Sequence, residues 1–86
     1  MKKIIETTEA EGLEKLLGEK VLLMCMNYFY TGTLIGVNDT TVLLKDPAIV
    51  YETGEWTESK FKDAQKLHTD EWYVSIATIE SFGVAK

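Results

Sequence analysis

The sequence contains no arginine: its nine basic residues are all lysines, set against 14 carboxylates for a net charge of −5. That absence removes the planar guanidinium fork that grips phosphates and base edges at two points. Together with the acidic balance it counts against a duplex-DNA binder, whose footprint is basic. Cysteine is reduced to Cys25, which excludes an intrachain disulfide; inside the apolar run Val21–Met26 it reads as a small buried hydrophobe. The lone histidine, His68, lies far away in a polar stretch, so no nucleophile, base and orienting group are visible together. One Cys and one His cannot close a zinc site, and no glycine-rich phosphate loop is present. Asp39, Asp46 and the N-terminal glutamates fall at turns or helix surfaces, where solvation is the default. The expectation is a protein that is not an enzyme and carries no catalytic residue, metal or cofactor.

Long hydrophobic runs are missing too. Met1-Lys2-Lys3-Ile4-Ile5-Glu6 opens like a signal peptide, but its apolar part stops after two residues. The longest uninterrupted apolar run, Val21 to Met26, falls far short of the roughly 20 residues of a membrane span. A cytoplasmic location without membrane partners is expected. At 86 residues there is room for one domain and one core. Chains this short bury only about 60% of their unfolded surface, and association is one of the usual remedies.

Thr8-Glu9-Ala10-Glu11 has capping-box spacing, after which Ala10, Leu13, Leu16 and Leu17 fall on one helical face and Gly18 ends it. This predicts a short amphipathic helix over about Thr8 to Leu17, weakened by Gly12. Val21–Met26 is apolar on both faces, as a strand covered on both sides should be. Asn27 supplies a turn, and a second strand, Phe29–Val37, contains Gly32 and Gly36, which mark bending or close backbone approach. Asn38-Asp39 turns the chain into Thr41–Lys45. Pro47 interrupts that run at an edge or bulge, and the strand resumes through Ile49-Val50-Tyr51. Residues 54–70 are polar and weakly patterned, an extended hairpin tip or a mobile segment. Trp72–Ser75 and Ile79–Phe82 are two last strands, joined by Ile76-Ala77-Thr78. The fold class expected is mostly β: an N-terminal α-helix, then a five-stranded, strongly bent antiparallel sheet forming a small open barrel.

Asn27, Gly32, Leu34 and Asn38 stand at the spacing of a known motif. The run Gly32-Thr33-Leu34-Ile35-Gly36-Val37-Asn38-Asp39-Thr40-Thr41-Val42-Leu43-Leu44-Lys45 and the segment Val74–Phe82 complete the pattern. In these positions the chain resembles the Sm-like family of Sm, LSm and Hfq proteins, over about residues 8–45 and 71–83. The resemblance implies one Sm-like domain over residues 1–86, with an insertion at about 47–70 between the third and fourth strands. It also implies a homo-oligomeric closed ring and binding of single-stranded RNA or DNA, with a role in RNA processing or chaperoning. Residues Asn38, Asp39, Thr40, Thr41, Ser75 and Ile76 are then the candidates around a pore, with Trp56, Lys60 and Lys62 as an aromatic and basic addition from the insertion. Trp72, Tyr73, Val74, Ile79 and Phe82 are the candidate subunit interface. Tyr28, Phe29, Tyr30, Tyr51 and Trp72 are further aromatics, expected mainly in core or interface. Where family members carry aspartate, an aromatic or histidine, and an Arg-Gly pair, this chain has Asn38, Thr40 and Ser75-Ile76. A relaxed base preference follows. The alternative is a structural or protein-interaction ring without nucleic-acid binding.

Overall fold

The computed structural model describes residues 12–86. After a 3₁₀ turn at Gly12–Leu16 come six strands: β1 (Lys20–Cys25), β2 (Phe29–Val37), β3 (Thr41–Glu52), β4 (Asp63–Lys66), β5 (Glu71–Ser75) and β6 (Ile79–Val84). A second 3₁₀ turn, Ile76–Thr78, joins β5 to β6. All pairings are antiparallel and make one sheet in the order β4-β3-β2-β1-β6, with β5 also on β3.

This connectivity dictates the shape. β5 lies on β3 and β6 on β1, so in a flat sheet they would be four strand spacings apart, about 19 Å. A three-residue 3₁₀ connection rises only about 2 Å per residue and cannot span that gap. The sheet therefore curls until its two edges approach the same turn. Hydrogen bonds register the closure: the Ile76 N–H donates to Thr40 O at 2.9 Å, and the Met26 N–H donates to Thr78 O at 3.0 Å.

Curling gives the sheet an inner face, where Val21, Leu23, Cys25, Leu34, Val42, Leu44 and Val74 form the core. Leu13 and Leu16 of the first turn pack against it, with Tyr30, Trp72, Ile76 and Ile79 at its margin. β1 is buried on both sides, because Leu22 is buried as well and pairs with Thr31, which pairs in turn with Ala48. Leu22, Thr31, Ala48 and Val50 thus form a second, smaller buried set on the outer face. The Thr31 hydroxyl is satisfied there by donating to Val21 O at 2.9 Å.

Two expectations need correction. The N-terminal α-helix is not supported. Its first residues, 8–11, lie outside the described residues; the rest forms only the 3₁₀ turn, and Leu17 is exposed rather than on a buried face. The physical reason is Gly12, whose φ of +64° is left-handed and has no place inside a right-handed helix. Gly18 does end the turn, at φ +88°. The second correction concerns strand number: the sheet has six strands, not five. β3 resumes past Pro47 as expected, through a bulge where Asp46 takes φ 50° and the register against β2 shifts. The continuation of β3 pairs with β4, so residues 47–66 form a long hairpin that belongs to the sheet.

Gly32 is the residue that makes this bulge possible. A Cβ there would lie 2.9 Å from the Lys45 carbonyl oxygen, 3.2 Å from Leu44 Cβ and 3.3 Å from Pro47 Cα. At Gly36 the nearest atom, Leu43 Cβ, would be at ordinary contact, 3.4 Å. Gly32→Ala is expected to destabilise the fold by about 1–3 kcal/mol, as overpacking against backbone does, and Gly36→Ala by less than about 1 kcal/mol. Urea denaturation followed by tryptophan fluorescence checks the difference; equal losses would reject the close approach as the reason for glycine.

Candidate functional site

Six of the sequence-predicted residues come together at one end of the sheet. Asn38 shapes its own loop: its Oδ1 accepts from the N–H groups of Thr40 and Thr41, both at 2.8 Å. It also accepts from the Thr40 and Thr41 hydroxyls at 3.3 and 3.2 Å. This is the Asx-type turn that short amide side chains favour. Thr41 pairs with Ser75 across β3 and β5, and the Ile76–Thr40 backbone bond holds the two loops side by side. Ser75 O in turn accepts from the Thr78 hydroxyl at 2.8 Å. Asn38, Asp39, Thr40 and Ser75 are exposed, whereas Ile76 packs against the core. The cluster offers hydroxyls and amides that can meet a base edge. Its only ionisable side chain is Asp39, so it has nothing to neutralise a phosphate.

Trp56, Lys60 and Lys62 lie elsewhere, on the β3–β4 hairpin. Trp56 is 58% exposed. The Lys86 Nζ lies 5.3 Å from the Trp56 ring centroid and 5.4 Å from that of Phe61, and donates to the carbonyl oxygens of Thr53 at 2.6 Å and Glu55 at 2.5 Å. Two rings and two carbonyls thus hold one ammonium, and the hairpin tip is tied to the end of β6. Between them, Leu22, Met24, Trp56, Ser81 and Gly83 line a cavity of about 240 Å³ on the outer face. Lys62 makes an exposed ion pair with Glu52 at 3.5 Å. Phe61 and Lys86 escaped the sequence reading, because a contact spanning 31 to 33 residues leaves no local pattern.

No protein-family model matches the chain, and no curated protein is found similar to it.

The five candidate interface residues divide. Val74 is a core residue, 4% exposed, and Trp72 and Ile79 are half-buried against the same core. Tyr73 and Phe82 are 67% and 42% exposed. Among the described residues β5 hydrogen-bonds only to β3, and β6 only to β1, so each keeps one backbone edge unpaired. Of the remaining aromatics, Tyr28 and Tyr51 are exposed and meet edge to face at 6.3 Å, whereas Phe29 and Tyr30 are half-buried. No group of three His, Cys, Asp or Glu side chains converges as a metal site would need, among the described residues. Nor, among them, is any helix long and apolar enough to cross a membrane.

Burial pushes the Cys25 thiol above its ordinary value, against the opposing effect of its hydrogen bond with Thr78. The Tyr30 phenol is raised as well, first by burial and then by the nearby Cys25, Tyr28 and Tyr51. Both groups hold their protons more tightly when folded. Their contribution is therefore fully present below the unfolded thiol value of about 8.5, and it is lost as pH rises through the folded values. Urea midpoints are expected to fall between pH 8 and pH 10.5, and Cys25→Ala should flatten the first part of that fall. An identical profile in the variant would remove the thiol as the cause.

The Lys86 contact predicts local rather than global instability when it is cut. Lys86→Ala is expected to lower the opening free energy of residues 53–61 by about 1–2 kcal/mol, from the lost cation–π and charge-assisted contacts. Faster amide exchange confined to that segment, with a red-shifted Trp56 emission, would show it. Unaltered exchange would mean that the hairpin holds itself in place.

Proposed function

We propose that this chain is a subunit of an Sm-like ring that binds single-stranded nucleic acid, RNA in the first place, in RNA processing or chaperoning. The observation that carries the reading is the junction of the loops at 38–41 and 75–78 through the Ile76–Thr40 bond. A curled sheet with that junction, and with β6-β1-β2-β3-β5 as its continuous order, supports the resemblance drawn from the residues. On this reading the barrel is the family's, and the β3–β4 hairpin extends it.

Assembly follows from the unpaired edges. A strand edge with free N–H and C=O groups is a liability unless covered, and two such edges on one protomer favour head-to-tail pairing. β5 of one subunit would pair with β6 of the next, and Tyr73 and Phe82 would pass from solvent into the interface. Cyclic closure would then repeat the loop pair once per subunit around a pore, so that weak contacts add by avidity.

The alternative, a protein-interaction ring without nucleic-acid binding, draws on one specific feature: the six loop residues include a carboxylate and no cation. Titration with uridine-rich and adenine-rich strands separates the two readings. Saturable binding that weakens with salt is expected, and no binding at low salt would favour the alternative.

Light scattering on a sizing column is expected to return a discrete assembly of about five to seven subunits. Phe82→Asp, which places a charge at the exposed edge, is expected to give monomers with unchanged circular dichroism. Ile79→Asp should dissociate the ring as well, with some loss of stability because Ile79 also touches the core. A wild-type monomer, or a Phe82→Asp protein of wild-type mass, would reject the edge pairing.

A further inference from the structure

Four of the nine lysines line one concavity, in a protein that is acidic overall. Lys20 comes from the start of β1, Lys60 and Lys62 from the hairpin, and Lys86 from beyond β6; Phe61 lies between them, and Asp63 is the one carboxylate in the lining. The space is open and measures about 480 Å³. Two of these ammonium groups have local partners, Lys86 on the Thr53 and Glu55 carbonyls and Lys62 on Glu52. Among the described residues Lys20 and Lys60 have no carboxylate partner. Bringing like charges into one hollow is unfavourable unless an anion enters it, and a concave surface concentrates the resulting field. Lys86, which contacts the hairpin at Thr53, Glu55, Trp56 and Phe61, shares the lining with Lys20, Lys60 and Lys62.

We infer that this lysine-lined concavity is a phosphate-binding surface, and that its occupant is the phosphodiester backbone of a single strand. The occupant rests on the strand-binding reading above; the anion chemistry does not. Lysine ammoniums act as point charges toward phosphate, without the base-edge geometry of arginine, so the surface is indifferent to sequence. The hollow is wide enough for more than one phosphate, and the exposed Trp56 beside it offers a ring for an unstacked base. The division of labour is physical. The loops at 38–41 and 75–78 offer hydrogen-bonding groups without a cation, whereas the hairpin side supplies cations.

The test uses the full chain and two probes, an abasic single-stranded oligonucleotide and inorganic tripolyphosphate, read by amide chemical shifts. Both are expected to move the amides of Lys20, residues 60–64 and Lys86. In the double variant Lys20→Gln/Lys60→Gln, strand affinity should fall about tenfold at 50 mM salt. Each lost phosphate contact also removes about 0.7 from the log–log salt slope, so from 50 to 200 mM the variant should lose about sevenfold less affinity than wild type. If the strand binds but these amides stay still and the slope is unchanged, the surface is rejected and strand binding elsewhere survives. If tripolyphosphate moves them while no strand binds, the phosphate surface stands and both the strand as its occupant and the nucleic-acid function fall. If neither probe moves them, the surface is rejected outright.

Discussion

The three-residue connection between β5 and β6 is the constraint on which the rest of the molecule depends. It ties together strands that belong to opposite ends of the sheet, so the sheet has no flat solution. Curling creates the inner face on which Val21, Leu23, Leu34 and Leu44 reach full burial in a chain of only 86 residues. It also brings the loop after β2 against the turn after β5, and so gathers residues 38–41 and 75–76 that are far apart in sequence. The bend itself is permitted by backbone chemistry at two facing points: Gly32 leaves room, and Asp46 with Pro47 supplies the bulge.

Much of this was legible because alternating apolar residues and turn formers report local geometry directly. Phe29–Val37 was read to the residue, and the Asn38-Asp39 turn, the last two strands and their short connection were all visible. Two elements were not. β4 carries Asp63, Ala64, Gln65 and Lys66, and both of its faces are largely exposed, so it has no hydrophobic alternation to display. Its strand character comes from the partner already laid down by β3. The helical pattern of Leu13, Leu16 and Leu17 misled for the opposite reason. Two of those leucines do pack on the core, but a 3₁₀ turn at a left-handed Gly12 places them there as well as a helix would.

The candidate site shows the same division. Asn38, Thr40, Thr41 and Ser75 could be grouped only through the resemblance to the Sm-like family, and the sequence did not reveal that the Asn38 oxygen is consumed in shaping its own turn. Lys60 and Lys62 were visible as a local basic stretch. Their neighbours Lys20 and Lys86 were not, since nothing in the chain announces that residues 20, 60, 62 and 86 share one hollow. Charge summed over the sequence gives −5 and counts against a duplex-DNA binder; charge placed in space gathers four lysines in one hollow.

Assembly would change the weight of both features without altering either. In a monomer, an exposed loop with a few hydroxyls and a hollow with four lysines would each be a weak ligand surface, because every contact competes with water and salt. In a cyclic arrangement each surface recurs once per subunit, and a strand held at one copy meets the next at high effective concentration. The requirement then shifts from strong individual contacts to regular spacing. That spacing would be set by the proposed backbone pairing at the β5 and β6 edges, not by any side chain of the site. A chain without arginine and without a cation in its loops at 38–41 and 75–78 could meet that requirement, provided that its edges close.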